Sequence, residues 1–190
     1  MPEGFPMNRD EILEYVRQNI SNENLVRHML SAEAVMKGLA RELGESEERW
    51  GFAGLIHDVD LGIVGDDMKT HSLKSAEMAK EKGFDDEIVQ AVAAHNEVHG
   101  LPRDTKMAKA LYACDPLTGL ITATALLKPD KKLSSVDVKS LKKRFKEARF
   151  AANANRGQMS TCEPELGIVL ERFFEIGLTS MQGIADSLGL

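Results

Sequence analysis

The residues most able to do chemistry are four of the five histidines and two aspartates. Two of them are adjacent, in Leu55-Ile56-His57-Asp58-Val59-Asp60. Neutral imidazole nitrogens and carboxylate oxygens are ligands for Mn, Fe, Co, Ni and Zn, and such ions activate water. The sequence therefore predicts a metal centre that activates water. Its candidate ligands, in chain order, are His28, His57, Asp58, His71, His95 and Asp115.

Each candidate ligand must face the interior of the protein if the six are to meet. His28 follows Leu25 by three residues and precedes Met29, which places it on an apolar helix face. Asp115 lies in another apolar helix face, where a carboxylate is costly unless it is paired or binds a metal. Taken singly, such a histidine is commonly an ordinary core residue, and Asp115 fits an internal ion pair. The coincidence of all six favours a metal site.

The spacing of apolar residues and the capping residues predict helices throughout and no strand. Residues 60–70, with Gly62, Gly65 and Asp66-Asp67, are predicted to form a loop. The predicted helices run from Asn8 to about Ile20, Asn22 or Asn24 to Leu43, Ser46 to His57, His71 or Ser72 to Gly83, Asp85 or Asp86 to His99, Thr105 to about Leu127 with a kink at Pro116, Val138 to Asn153, Pro164 to Ile176 and Thr179 to Leu188.

The order His…His-Asp…His…His…Asp over about residues 22–127 resembles that of the HD-domain phosphohydrolases. The resemblance implies that His28, His57, Asp58 and Asp115 hold one divalent ion. It implies that His71 and His95 hold a second ion, with Asp58 bridging, or contact phosphate where only one ion is present. It also implies an all-α helical bundle, which we expect to be a single domain over residues 1–190, with 128–190 as a C-terminal helical extension.

Two differences from sequence patterns within the family indicate which of its branches this chain resembles. The segment around His57-Asp58 is similar to a bacterial subgroup in which Ile-Gly often follows His-Asp, but here Val59-Asp60 follows, outside the ligands. The cyclic-dinucleotide phosphodiesterases of the HD-GYP branch carry paired histidines and a Gly-Tyr-Pro motif. This chain has Asn96 after His95 and no Gly-Tyr-Pro, so that branch is disfavoured.

The resemblance implies hydrolysis of a phosphoester or phosphoanhydride, with a nucleotide as the expected substrate and no Ser or Cys nucleophile. We expect Asp58 to orient or deprotonate the attacking water, and His71 and His95 to act on the phosphate directly or through a second ion. His99 is either a further ligand or a surface residue at a helix end. The candidate substrate-binding residues, each with an ordinary structural alternative, are Lys74, Arg103 and Thr118.

The distribution of charge along the chain indicates which classes of binding partner are favoured. The chain carries a net charge of −6, but residues 131–150 carry +6. An acidic body with one basic segment disfavours general nucleic-acid binding, while the basic helix predicted over 138–153 is either a solvated face or a rim that attracts phosphate. The absence of an 18-residue apolar run, the lack of a signal-like start at residues 1–6 and only two cysteines favour a cytoplasmic protein without a membrane partner.

Two other functions stay open at this point. Some di-iron HD proteins oxidise small polyols, so an iron-dependent oxygenase is one alternative. A non-catalytic module that binds a nucleotide or a metal is the other. The sequence leaves the metal, the number of ions and the oligomeric state undetermined.

Overall fold

The computed structural model describes residues 7–190, and within that range it contains helices and no strand. The all-α prediction is therefore confirmed. The prediction about a signal sequence at residues 1–6 lies outside the described residues. The helices are α1 (Arg9–Asn19), α2 (Glu23–Leu43), α3 (Glu47–Ile56), α4 (Leu61–Val64), α5 (Leu73–Glu81), α6 (Asp86–Ala94), α7 (Lys106–Leu126), α8 (Val138–Lys146), α9 (Arg156–Ser160), α10 (Cys162–Leu166), α11 (Leu170–Gln182) and α12 (Ala185–Leu188).

The first three helices begin where the sequence predicts. The Asn8 side chain accepts a hydrogen bond from the Glu11 amide at 3.0 Å, and the Glu11 carboxylate accepts one from the Asn8 amide at 2.7 Å. This reciprocal cap fixes the start of α1. Asn22 and Ser46 cap α2 and α3 through their side chains. Gly44 ends α2 with φ of +71°, a conformation that glycine adopts without a steric penalty.

Helix α2 lies at the centre of the protein and packs against α3, α7 and α11. Its contact with α3 is close because Gly54 has no side chain. A Cβ at this position would lie 2.7 Å from the backbone carbonyl of Ala32 on α2. This close packing places the end of α3, with His57, beside His28 on α2.

The region between α3 and α7 differs from the prediction in two places. Residues 60–70 contain one helical turn, α4, rather than only a loop. The helix predicted to reach His99 ends at Ala94, and a short 3-10 turn covers Glu97–His99. The cause is Asn96, whose side chain donates to the carbonyls of Met68 and His71 and accepts from the Val98 amide. These bonds compete with helical ones and turn the chain.

In the C-terminal region, the observed helices differ more from the predicted ones. The helix predicted over 138–153 ends at Lys146, the helix α9 was not predicted, and the last three helices have other bounds than expected. Residues 147–154 form turns around Arg156, whose guanidinium donates to the backbone carbonyls of this segment. Gly167, with φ of +72°, ends α10 and separates it from α11.

The described helices contain none with the length and apolar character needed to cross a membrane. Pro116 lies inside α7, which continues through it, so the kink at this position stays a prediction. Cys114 and Cys162 are both buried and unbonded to each other.

Candidate metal centre

Five separate segments bring the six predicted ligands to one place. His28 lies on α2, and His57 and Asp58 directly follow α3. His71 lies just before α5, His95 follows the last residue of α6, and Asp115 is in α7. Within each of three overlapping groups, the candidate ligand atoms lie within 4.8 Å of one another. These groups are His28–His57–Asp58, His57–His95–Asp115 and Asp58–His71–His95.

The carboxylate of Asp58 lies at the middle of the cluster. Its Oδ2 is 3.4 Å from His28 Nε2 and 3.3 Å from His57 Nε2. Its Oδ1 is 3.5 Å from His71 Nε2 and 3.3 Å from His95 Nε2. Atoms that each lie about 2.1 Å from one ion are roughly 3.0–3.4 Å apart. The two oxygens of Asp58 therefore face two histidine pairs at the spacing of ligands around an ion.

Asp115 lies beside the first of these histidine pairs, His28 and His57. Its Oδ1 lies 3.1 Å from His28 Nε2 and 3.9 Å from His57 Nε2. The Asp115 side chain is 30% exposed and that of His28 is 23% exposed, whereas those of His57, His71 and His95 are almost fully buried. The cluster is therefore open to solvent on the side of His28 and Asp115.

All four histidines are oriented by a hydrogen bond at Nδ1. Because the acceptors are oxygen atoms, Nδ1 carries the proton, and Nε2 presents its lone pair to the cluster when the ring is neutral. This tautomer is the one that binds a metal through Nε2. The four bonds run from His28 to Thr118 Oγ1 at 3.0 Å, from His57 to the Gly54 carbonyl at 2.8 Å, from His71 to Asp60 Oδ1 at 3.0 Å and from His95 to the Val92 carbonyl at 2.6 Å.

Two buried atoms show that the cluster fits a cation. Asp58 Oδ1 and His95 Nε2 are 3.3 Å apart, yet neither has a hydrogen-bond partner among the described residues. Both present lone pairs, and leaving such buried acceptors unsatisfied is costly. A divalent ion satisfies both at once. The residues present therefore fit a metal, and histidine and carboxylate together suit first-row transition ions.

In the metal-free protein, a protonated His28 lies next to the carboxylates of Asp58 and Asp115. Burial lowers the pKa of His28, but hydrogen bonds to Asp115 and Asp58 outweigh burial and raise it from 6.5 to about 10. The pKa values of Asp58 and Asp115 are held below their ordinary range, because the neighbouring histidines outweigh the opposite effect of burial. Both carboxyl groups are thus ionised and ready to bind a cation.

Asp60 is a functional residue that sequence reasoning missed. It is fully buried, and its carboxylate accepts hydrogen bonds from His71 Nδ1 at 3.0 Å and from the amides of Ser72 at 2.8 Å and Ser75 at 3.1 Å. Ser72, with φ of +72°, holds a conformation that non-glycine residues rarely adopt. The one indication of this residue in the sequence was that Asp60 stands where the similar bacterial subgroup often has glycine.

The remaining candidates lie around the cluster rather than in it. The hydroxyl of Thr118 donates to the Asp115 carbonyl at 2.8 Å and accepts from His28. His99 Nε2 donates to the backbone carbonyl of His71 at 2.7 Å, so it supports the chain that carries a ligand. Lys74 pairs with Glu77 at 2.8 Å on the exposed side of α5.

Arg103 also has partners outside the cluster. Its guanidinium pairs with Glu165 at 3.2 Å and stacks over the ring of Tyr112 at 3.8 Å. A substrate-binding role for Arg103 and for Lys74 stays a prediction.

Comparison with known proteins agrees with this geometry. The chain is similar to proteins named Ribonuclease Y: it is 32% identical over 98 residues to that of Oleidesulfovibrio alaskensis and 33% identical over 97 residues to that of Lawsonia intracellularis. These segments make up 52% and 51% of this chain, but only 18% of each relative. No solved structure matches the chain. The family model described as HD domain matches residues 25–125, which is more than half of the chain. That span contains all six clustered residues in the order His, His-Asp, His, His, Asp, and the chain therefore belongs to the HD domain family.

Proposed function

We propose that this protein is a metal-dependent phosphohydrolase that cleaves a phosphoester or phosphoanhydride bond of a nucleotide with water. The observation that carries the proposal is the convergence of four Nε2 atoms and two carboxylates, with unsatisfied acceptors buried at the middle. Membership of the HD domain family supports hydrolysis, as does similarity to proteins named ribonucleases.

The roles of the residues follow from their positions. When bound, a divalent ion lowers the pKa of a coordinated water and offsets charge on the phosphoryl oxygens. In this proposal His28, His57, Asp58 and Asp115 hold one ion, and His71, His95 and Asp58 hold a second, which the short distances within each set support. The Asp58 carboxylate, which both sets share, orients the attacking water in this proposal.

Two cavities touch the cluster at His28, and the one that also reaches Asp115 favours a small substrate over a nucleic-acid strand, whereas Arg27 lines the other. The cavity at Asp115 has a volume of about 510 Å³, within the range of small-molecule sites. A polynucleotide needs lysine or arginine along its phosphates. Among the described residues that line this cavity, none is a lysine or an arginine. They are His28, Asp115, Pro116, Gly119, Ala151, Ala152, Asn153, Ala154 and Gln158.

Elemental analysis of protein purified without chelator tests the metal centre. The wild type should carry a near-stoichiometric transition metal, and Asp58→Ala should lose it, because this change removes the carboxylate shared by both groups. Asp10→Ala, at a side chain that is 94% exposed, is the matched control and should keep the metal. A wild type that stays empty under challenge with Mn, Fe, Co, Ni and Zn refutes the proposal.

Phosphate release with the loaded protein then tests the substrate. We expect turnover of nucleotides and little cleavage of single-stranded RNA, which the Ribonuclease Y similarity makes the necessary comparison. Loaded protein that hydrolyses neither contradicts the proposed activity and leaves the two alternatives, a non-catalytic binding module and an oxygenase.

A second candidate rests on one observation. The two oxygens of Asp58 face separate histidine pairs, an arrangement that also suits two iron ions in an oxygenase. Oxygen consumption by the iron-loaded protein with a polyol substrate, in the absence of phosphate release, would favour this activity.

A further inference from the structure

The cavity that opens onto His28 and Asp115 has a wall that lies outside the matched HD segment. This wall consists of residues 151–154 and Gln158, which come after residue 125, where the family match ends. The opposite side is formed by α7, through Pro116 and Gly119. The metal ligands thus belong to the family segment, whereas the surface that a substrate meets next to them belongs to the C-terminal region.

The wall is held by one partly buried arginine, Arg156. The guanidinium of Arg156 donates to the carbonyls of Ala151 at 2.6 Å and Ala154 at 2.5 Å, and also to that of Phe150. Its remaining bonds go to the carbonyls of Arg144, Phe145 and Glu147. Burial lowers the pKa of Arg156, and no carboxylate pairs with it among the described residues. All of its hydrogen-bonding capacity therefore goes to organising the backbone of this segment.

Ala151 shows that the wall has a defined backbone shape. Its φ of +43° lies in the left-handed region, which is unfavourable for an alanine. Such a conformation persists when the surrounding structure enforces it, and it is common at ligand-binding sites. Here the bond from Arg156 to the Ala151 carbonyl supplies that constraint.

The lining defines what the cavity accepts. Because no lysine or arginine lines it, the cavity offers no cationic side chain to a second anionic group. The carboxamides of Asn153 and Gln158 each offer a donor and an acceptor, and three alanines add small apolar surface. An uncharged ring system with donors and acceptors on its edge, such as a nucleobase, has this chemistry.

We propose that residues 151–158 form the substrate-recognition wall, in which Asn153 and Gln158 bind the base of a nucleotide and Arg156 is the positioning residue. This inference rests on the proposed function and extends it, because it assigns the choice of substrate to the C-terminal region. The phosphoryl group lies at the cluster, and the base lies against the wall.

Kinetics of the metal-loaded protein test the wall. Asn153→Ala and Gln158→Ala should each raise KM for a nucleoside monophosphate about 3- to 10-fold, the effect of losing one or two hydrogen bonds. The kinetics with ribose 5-phosphate, which lacks a base, should not change. Gln18→Ala, on the exposed face of α1, is the matched control. An unchanged nucleotide KM in both wall variants overturns the inference.

The positioning role of Arg156 has its own test. Arg156→Lys keeps the charge but lacks the planar fork that reaches several carbonyls. It should raise the nucleotide KM while the metal content and the ribose 5-phosphate kinetics stay as in the wild type. A wild-type nucleotide KM in this variant contradicts the role.

A binding measurement separates this inference from the proposed function. Titration of the metal-loaded wild type with a nucleoside, followed by NMR of the side-chain amides, should shift the signals of Asn153 and Gln158. If the protein releases no phosphate from any nucleotide, the proposed function fails, yet shifted amides still support the wall. If nucleotides are hydrolysed but these amides do not respond, the wall alone is wrong.

Discussion

Replacing Asp60 with asparagine should remove one metal site and leave the other. The Asp60 Oδ2 accepts two backbone amides, at 2.8 Å and 3.1 Å, and its Oδ1 accepts the Nδ1 proton of His71 at 3.0 Å. An asparagine side chain has a single oxygen. It must accept from the two buried amides, because leaving both amides unpaired costs more than losing the hydrogen bond with His71. Its NH₂ group then faces His71 Nδ1 as a second donor. The proton of His71 therefore moves to Nε2, and that atom no longer binds a metal.

The expected loss in affinity follows from this change of tautomer. Removing the hydrogen-bond partner of a metal-binding histidine typically costs about 10- to 100-fold in affinity. Asp60→Asn puts a donor in that place, so we expect the upper part of this range for the ion near His71 and His95. The ion near His28, His57 and Asp115 should stay, since Asp60 has no hydrogen bond to these residues.

Calorimetric titration with Mn and elemental analysis measure both sites. The wild type should bind two ions and Asp60→Asn one, and ¹⁵N NMR of the metal-free variant should show His71 protonated at Nε2. Ser75→Ala is the control, because it removes the hydroxyl that accepts the Asp60 amide but leaves the carboxylate in place. If Asp60→Asn binds two ions with wild-type affinity, or if His71 keeps its tautomer, the reasoning is wrong.

Three further predictions concern other parts of the structure. Gly54→Ala should lower the free energy of unfolding by about 1–3 kcal/mol, because its Cβ would meet the α2 backbone, whereas Gly119→Ala, with no atom within 4 Å, should raise it by about 0.5–1 kcal/mol. Urea unfolding measures both, and equal effects would contradict the packing argument. Thr118→Val should weaken metal binding about 10-fold through His28, while Thr118→Ser should bind as the wild type does; calorimetry distinguishes them. The pKa of His28 in the metal-free protein is raised from 6.5 to about 10, so its contribution to stability is complete below pH 6.5 and is lost as the pH rises toward 10. Chelator-treated protein should therefore unfold at lower urea concentration at pH 9 than at pH 6, and His28→Gln should show a smaller difference.

The six residues that meet in the cluster, and most of the helices that carry them, could be predicted from the sequence alone. The caps Asn8, Asn22 and Ser46 act within one turn of their own helices, so their effect is legible in a short stretch of sequence. The order of the histidines and aspartates can likewise be read directly from the sequence. The structure brings His28 within 3.1 Å of Asp115, which lies 87 residues further along the chain.

The orientation of the six clustered side chains and the residues around them depend on tertiary contacts that the sequence does not reveal. Asp60 binds His71 across 11 residues, and Asn96 ends α6 through carbonyls 25 and 28 residues away. Turns stand in place of the predicted continuation of α8, because the partly buried guanidinium of Arg156 satisfies backbone carbonyls that a helix otherwise pairs internally. Helix propensity and periodicity describe neighbours in sequence, whereas these hydrogen bonds join residues that become neighbours only after the helices have packed.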